Sequence, residues 1–127
     1  MRVDWLLACH EATVVDRLAD IKGAGVDHIR VPRFPAPVPL TLVARVLGRA
    51  EGRRHTLTFS CISPDGSVYD LMAHGEVETT EEDFPTEWEP GTVVAFRTQL
   101  EAKQPGIYVV TAWIDSTPRP LPIRIIT

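Results

Sequence analysis

Apolar and polar residues alternate with a period of two along most of this 127-residue chain, the pattern of strands that bury one face and wet the other. Val3, Trp5, Leu7 and Cys9 share one side of the first run, opposite Asp4, Leu6, Ala8 and His10. This places Cys9 toward the core and His10 away from it. A second run covers Leu18 to Lys22, and Gly23-Ala24-Gly25 turns it into Asp27–Val31. Val38, Leu40, Leu42, Ala44 and Val46 alternate next, followed by Leu57, Phe59 and Cys61. Ser63-Pro64-Asp65-Gly66 has the chemistry of a hairpin turn, with proline presetting φ at its second position and glycine accepting the left-handed one. Beyond it, Tyr69, Leu71, Ala73 and Val77 face one way, and Val94, Phe96, Thr98 and Leu100 mark a further strand. Tyr108, Val110, Ala112 and Ile114 alternate with Ile107, Val109 and Trp113, and Leu121, Ile123 and Ile125 close the pattern. The segment "EATVVDRLA", Glu11 to Ala19, is the single stretch that reads as a short helix.

Seven to nine short strands separated by turn signals predict one all-β domain over residues 1–127. Its expected form is an antiparallel two-sheet β-sandwich, immunoglobulin-like or similar, in preference to a closed barrel. The eleven prolines suit this reading, because they stand between apolar runs. In "VPRFPAPVP" four of them occur within eight residues, where missing N–H donors favour an extended crossing or a sheet edge.

The stretches "LLACHEATVVDRLADIKGAG", "FPAPVPLTLVARV", "SPDG", "PGIYVVTAWID" and "LPIRI" together resemble a family of short bacterial proteins classed as a domain of unknown function. The likeness extends over nearly the whole chain and implies a compact β-sandwich. It implies no catalytic residues. The chain departs from the family pattern at Gly25-Val26-Asp27, where further glycine and an aromatic are expected.

Charge and composition narrow the function. The formal net charge of −4 argues against nucleic acid, whose phosphates call for a surplus of Lys and Arg. No run approaches the ~18 apolar residues of a membrane span. Leu6-Leu7-Ala8-Cys9 looks like a lipoprotein box, but Asp4 interrupts the apolar stretch that a secretory signal requires. A cytoplasmic protein without membrane contact is expected.

Candidate chemistry is sparse. Cys9 and Cys61 read as buried free thiols behaving as small hydrophobes, with a disulfide as the alternative. His10, His28, His55 and His74 show no zinc-type spacing and fall on positions expected to face solvent. There is no G-x-S-x-G elbow, phosphate loop or H-E-x-x-H. No catalytic residue, metal ligand or cofactor is expected.

The compositional anomaly is the interval from Glu76 to Glu89, with seven acidic residues and no Lys or Arg. Within it, Glu81, Glu82 and Asp83 adjoin two large aromatics, Phe84 and Trp88, a pairing that suits an interface anchor with an acidic rim. Arg45, Arg49, Arg53, Arg54 and His55 form the opposite, basic pole around Gly48 and Gly52. The candidate interaction surface is therefore Phe84, Trp88, Glu81, Glu82, Asp83, Arg53, Arg54 and Trp113. The expected function is a non-enzymatic protein-interaction or assembly module with a protein partner or a second copy of itself. The alternatives are a calcium- or carbohydrate-binding sandwich using the acidic loop or Trp113, and a hydrolase built around His10 and Glu11.

Overall fold

The computed structural model describes residues 1–77 and 87–127. Among them are ten strands and no helix: β1 (Arg2–Cys9), β2 (Glu11–Val15), β3 (Leu18–Lys22), β4 (His28–Arg30), β5 (Ala36–Leu47), β6 (His55–Ile62), β7 (Val68–Val77), β8 (Gly91–Ala102), β9 (Gly106–Ile114) and β10 (Thr117–Ile126). They form three sheets, ordered β1-β5-β8, β4-β10-β9-β6-β7 and β2-β3. Two sheets and seven to nine strands were expected, so both numbers are corrected. Pairing is antiparallel except for β4 against β10, which is parallel.

The extra sheet is where a helix was expected. Residues 11–22 form a hairpin, with Val15 opposite Leu18 and Glu11 opposite Lys22. Its two loop residues, Asp16 (φ 52°) and Arg17 (φ 65°), are both left-handed, the type I′ geometry that matches strand twist. Such loops usually carry Asn-Gly, so "Asp-Arg" gives no sequence signal, and β-branched Val14-Val15 fits a strand better than a helix. The half-buried residues of this ribbon are Ala12, Ala19 and Ile21, and it lies against β8 and β5.

A β-bulge overturns the expected face of β1. The register slips between Val3, opposite Val46, and Trp5, opposite Arg45, leaving Asp4 as the extra residue. One added residue moves every later side chain to the other face. Leu6 and Ala8, opposite Ala44 and Leu42, therefore enter the core, while Trp5, Leu7 and Cys9 join the outer face. Asp4 itself accepts a bond from Arg45 Nη1 at 2.7 Å.

The remaining alternation holds. One cluster of buried side chains combines Val38, Leu40, Leu42, Ala44, Val46 and Leu100 of the three-stranded sheet with Leu57, Phe59, Cys61, Leu71, Tyr108, Val110, Ile123 and Ile125 of the five-stranded sheet. Phe59 meets Phe96 edge-on, with ring centroids 5.3 Å apart, a favoured aromatic geometry that ties β6 to β8. The Ser63–Gly66 turn closes as expected: Gly66 N–H donates to Ser63 O at 2.9 Å, and Asp65 accepts from Ser67 N–H at 2.9 Å. That backbone bond holds the Asp65 carboxyl below its usual range.

Prolines fill the positions where a ladder partner is missing. Arg124 N–H donates to Asp27 O on the β4 side, so Pro118, Pro120 and Pro122, of the same parity, turn their donor positions to that flank. β4 pairs only with 124–126. The free stretch of β10 thus has no donors to offer another strand. Pro37 and Pro39 stand likewise on β5 beyond Thr41, where its pairing with β1 ends.

Candidate interaction surface

The outward face of the five-stranded sheet carries an apolar row where a solvated sheet would be polar. Strand register sets its rows. Pro122 stands opposite Val109, Val109 opposite Ile62, and Ile62 opposite Val68, so one apolar belt crosses four strands. Val68 is 65% exposed, Ile107 at one flank of the belt 56%, and Met72 on β7 94%. Trp113 lies on the same face, and its indole N–H donates to Ser60 Oγ at 3.0 Å. That bond draws the ring across β9 toward β6, and Ser60 and Thr111 are buried in the middle of the face.

Charge on this face is segregated. The β4–β10 corner carries His28, Arg30 and Arg124, all exposed, with His28 directly opposite Arg124. The β7 edge carries Asp70 and Glu76, also exposed. Among the described residues Asp70 and Arg124 make no ion pair. Glu76 lies 3.7 Å from Arg54.

Of the residues singled out from sequence, Trp113 is on this face, and Arg53, Arg54 and Trp88 lie at the end of the molecule formed by the β5–β6 connection. Phe84, Glu81, Glu82 and Asp83 lie outside the described residues. Trp88 is exposed, and its carbonyl accepts from Arg49 Nη2 at 2.9 Å. Arg53 is 4.0 Å from Glu51, and Arg2 pairs with Glu89. The hydrogen bond from Arg2 holds the Glu89 carboxyl below its usual range. Described members of the basic pole and of the acidic interval thus meet one another within the chain, through Arg54–Glu76 and Arg49–Trp88.

His55 does not belong to that pole. Its side chain is 2% exposed, with Nδ1 2.6 Å from Asp115 Oδ2 and Nε2 3.0 Å from the Ala50 carbonyl. The expectation of a solvent-facing histidine is corrected. His55 opens β6 at an inward position, and the β9–β10 turn supplies a carboxylate partner there. His10, His28 and His74 are exposed as expected.

The thiols are buried and free, Cys61 in the core and Cys9 on the other face of the three-stranded sheet. Burial pushes both thiols up, which keeps them protonated and weakly nucleophilic. Cys9 and His10 line a cleft of about 280 Å³ with Thr41 and Arg97. A larger cleft of about 490 Å³ opens between Ser63, Asp65, Tyr69, Glu101, Lys103 and Tyr108.

In the sequence, Ile107, Val109 and Trp113 already mark one side of β9 as too apolar for a plain outer sheet, but the continuation of that surface across the neighbouring strands went unseen. Val68 and Met72 do alternate with core-facing Tyr69 and Leu71, which was a usable signal. The alignment of Val68 with Ile62, Val109 and Pro122 exists only through register, while Met72 stands in the irregular stretch of β7 between Asp70 and His74.

Residues 4–126 match the model of a family described as a family of unknown function (DUF6941). No curated protein and no solved structure matches the chain.

Proposed function

The chain belongs to the DUF6941 family, and from its own geometry we propose that it is a non-enzymatic protein-interaction module working through the outer face of its five-stranded sheet. The observation that carries this reading is the Pro122–Val109–Ile62–Val68 belt, flanked by Ile107, Met72 and Trp113. Apolar area gathered on one face and rimmed by charge is what an interface core requires, whereas single exposed apolar residues need no explanation. Trp113 is the natural anchor, because its indole is already held by Ser60 and loses little freedom on docking.

In the same reading the molecule is a single-domain sandwich, with the three- and five-stranded sheets as its layers and the β2–β3 ribbon added outside. The core cluster drawn from both sheets supports this. Among the described residues no helix is long and apolar enough to cross a membrane.

The test is site-specific photocrosslinking in cells, with a benzophenone amino acid at Met72 or Ile107 and at Pro37 as the control on the other sheet. Adducts from the first two positions and none from Pro37 are expected. Adducts from all three alike, or from none, would sink the reading.

A further inference from the structure

We propose that the partner of this face is a second copy of the chain, stacked sheet to sheet about a two-fold axis that crosses the face obliquely near Val109 and Ile62. The inference rests on the reading above and names the occupant of that surface.

Three features favour a second copy. The first is the diagonal arrangement of charge. His28, Arg30 and Arg124 occupy one corner, at the end of the sheet where Ile107 stands opposite Arg124. Asp70, and Glu76 with the exposed Arg54 3.7 Å from it, lie along the opposite edge, toward the end where Thr58 stands opposite Trp113. Among the described residues, Asp70 thus supplies the acidic charge not already met within the chain. The apolar belt lies between them. A two-fold axis in the plane of the interface exchanges these corners. Each acidic edge then faces the partner's basic corner, and the contact is made twice, as an isologous interface requires. The apolar belt falls across the axis and packs on its own copy.

The second feature is size. Five strands about 4.8 Å apart and roughly eight residues long offer a plane on the order of 600 Å², close to the ~800 Å² per partner of a standard interface.

The third is that the alternative mode of self-association is obstructed. Edge-to-edge pairing needs free donors, and Pro118, Pro120 and Pro122 remove them from the free flank of β10. The charges of β7 discourage it at the opposite edge. Face-to-face stacking is the remaining symmetric contact for this sheet.

Charge exchange tests the proposal. The variant Asp70→Lys/Glu76→Lys makes both corners basic, and Arg30→Glu/Arg124→Glu makes both acidic. All four side chains are exposed, and circular dichroism confirms that each variant is folded. In sedimentation velocity the native chain is expected at twice its 14.1 kDa across a wide concentration range. Each variant alone is expected to dissociate, with a dissociation constant raised at least about tenfold. An equimolar mixture of the two is expected to recover the double-mass species, because acid again meets base at both contacts. A native chain that sediments at 14.1 kDa throughout overturns the proposal. So do a variant that dimerises as the native chain does and a mixture that stays monomeric. A monomeric native chain with Met72 and Ile107 adducts to another protein in cells would remove the dimer and leave the interaction reading standing.

Discussion

The imidazole of His55 is clamped between the Asp115 carboxylate, 2.6 Å from Nδ1, and the Ala50 carbonyl, 3.0 Å from Nε2. The first contact joins the start of β6 to the β9–β10 turn, whose residues Asp115 and Ser116 are both left-handed. The second joins β6 to its own preceding loop. The ring thus ties three segments of the chain together through its two nitrogens.

His55→Ala should therefore destabilise the fold by about 1–3 kcal/mol, since it deletes two hydrogen bonds of a buried ring and leaves a hole in its place. The loss is moderated because the Ala50 carbonyl keeps its bond from Arg53 N–H and Asp115 is 40% exposed. Asp115→Asn keeps a polar partner and should cost about half as much. Urea denaturation measures both. A loss below about 1 kcal/mol for His55→Ala would mean that the clamp is idle.

Tyr69→Phe should have the opposite effect. The Tyr69 hydroxyl is buried and has no hydrogen-bond partner among the described residues. Burial, and then the Cys61 thiol beside it, push its phenol above the usual tyrosine range. Removing the hydroxyl should stabilise the chain by about 1 kcal/mol near neutrality. The pH dependence follows from the direction of the shift. The unfolded chain ionises this phenol near pH ~10 and the folded chain only higher, so native stability falls as pH rises above ~10. Tyr69→Phe should lose less stability in that alkaline window, read from urea midpoints. An unchanged alkaline slope would contradict the assignment.

Cys9 and Cys61 should stay unpaired and slow to react. Cys61 lies in the core and Cys9 on the far face of the three-stranded sheet, so no single disulfide joins them in the folded chain. Ellman's reagent should label the native protein about a hundredfold more slowly than the protein in urea. Rapid labelling, or an intramolecular disulfide formed by a mild oxidant under native conditions, would refute this placement.

Gly23 and His10 should be energetically coupled. A Cβ at Gly23 would come within 2.0 Å of His10 Cδ2, and its φ is +64°. Gly23→Ala should cost about 2 kcal/mol, combining the steric clash with backbone strain. In a His10→Ala background the clash is gone, and about 1 kcal/mol should remain. Equal costs in both backgrounds would show that the ring yields freely.

Particular elements show how far the residue pattern reaches. Alternation placed β5, β6, β7, β8, β9 and the end of β10 within a few residues, because a strand with one buried face repeats every second residue whatever its neighbours. The Ser63–Gly66 turn was equally legible, since its requirements lie within four residues. Of the β2–β3 ribbon, the run Leu18–Lys22 was legible but β2 and the turn between them were not, because Asp16 and Arg17 adopt left-handed conformations that usually call for glycine or asparagine. His55 was misplaced because its carboxylate partner lies 60 residues away.

By itself, then, the sequence determined the all-β class, the local turn and which side chains alternate, since those follow from chain geometry and short-range chemistry. Only the tertiary structure decided the bulge at Asp4 that carries Cys9 out of the core, the burial of His55, and the alignment of Pro122, Val109, Ile62 and Val68 into one belt. The physical reason is common to all three. Each depends on register or contact between distant strands, and a one-residue slip in pairing reverses which face a side chain occupies without changing any local preference.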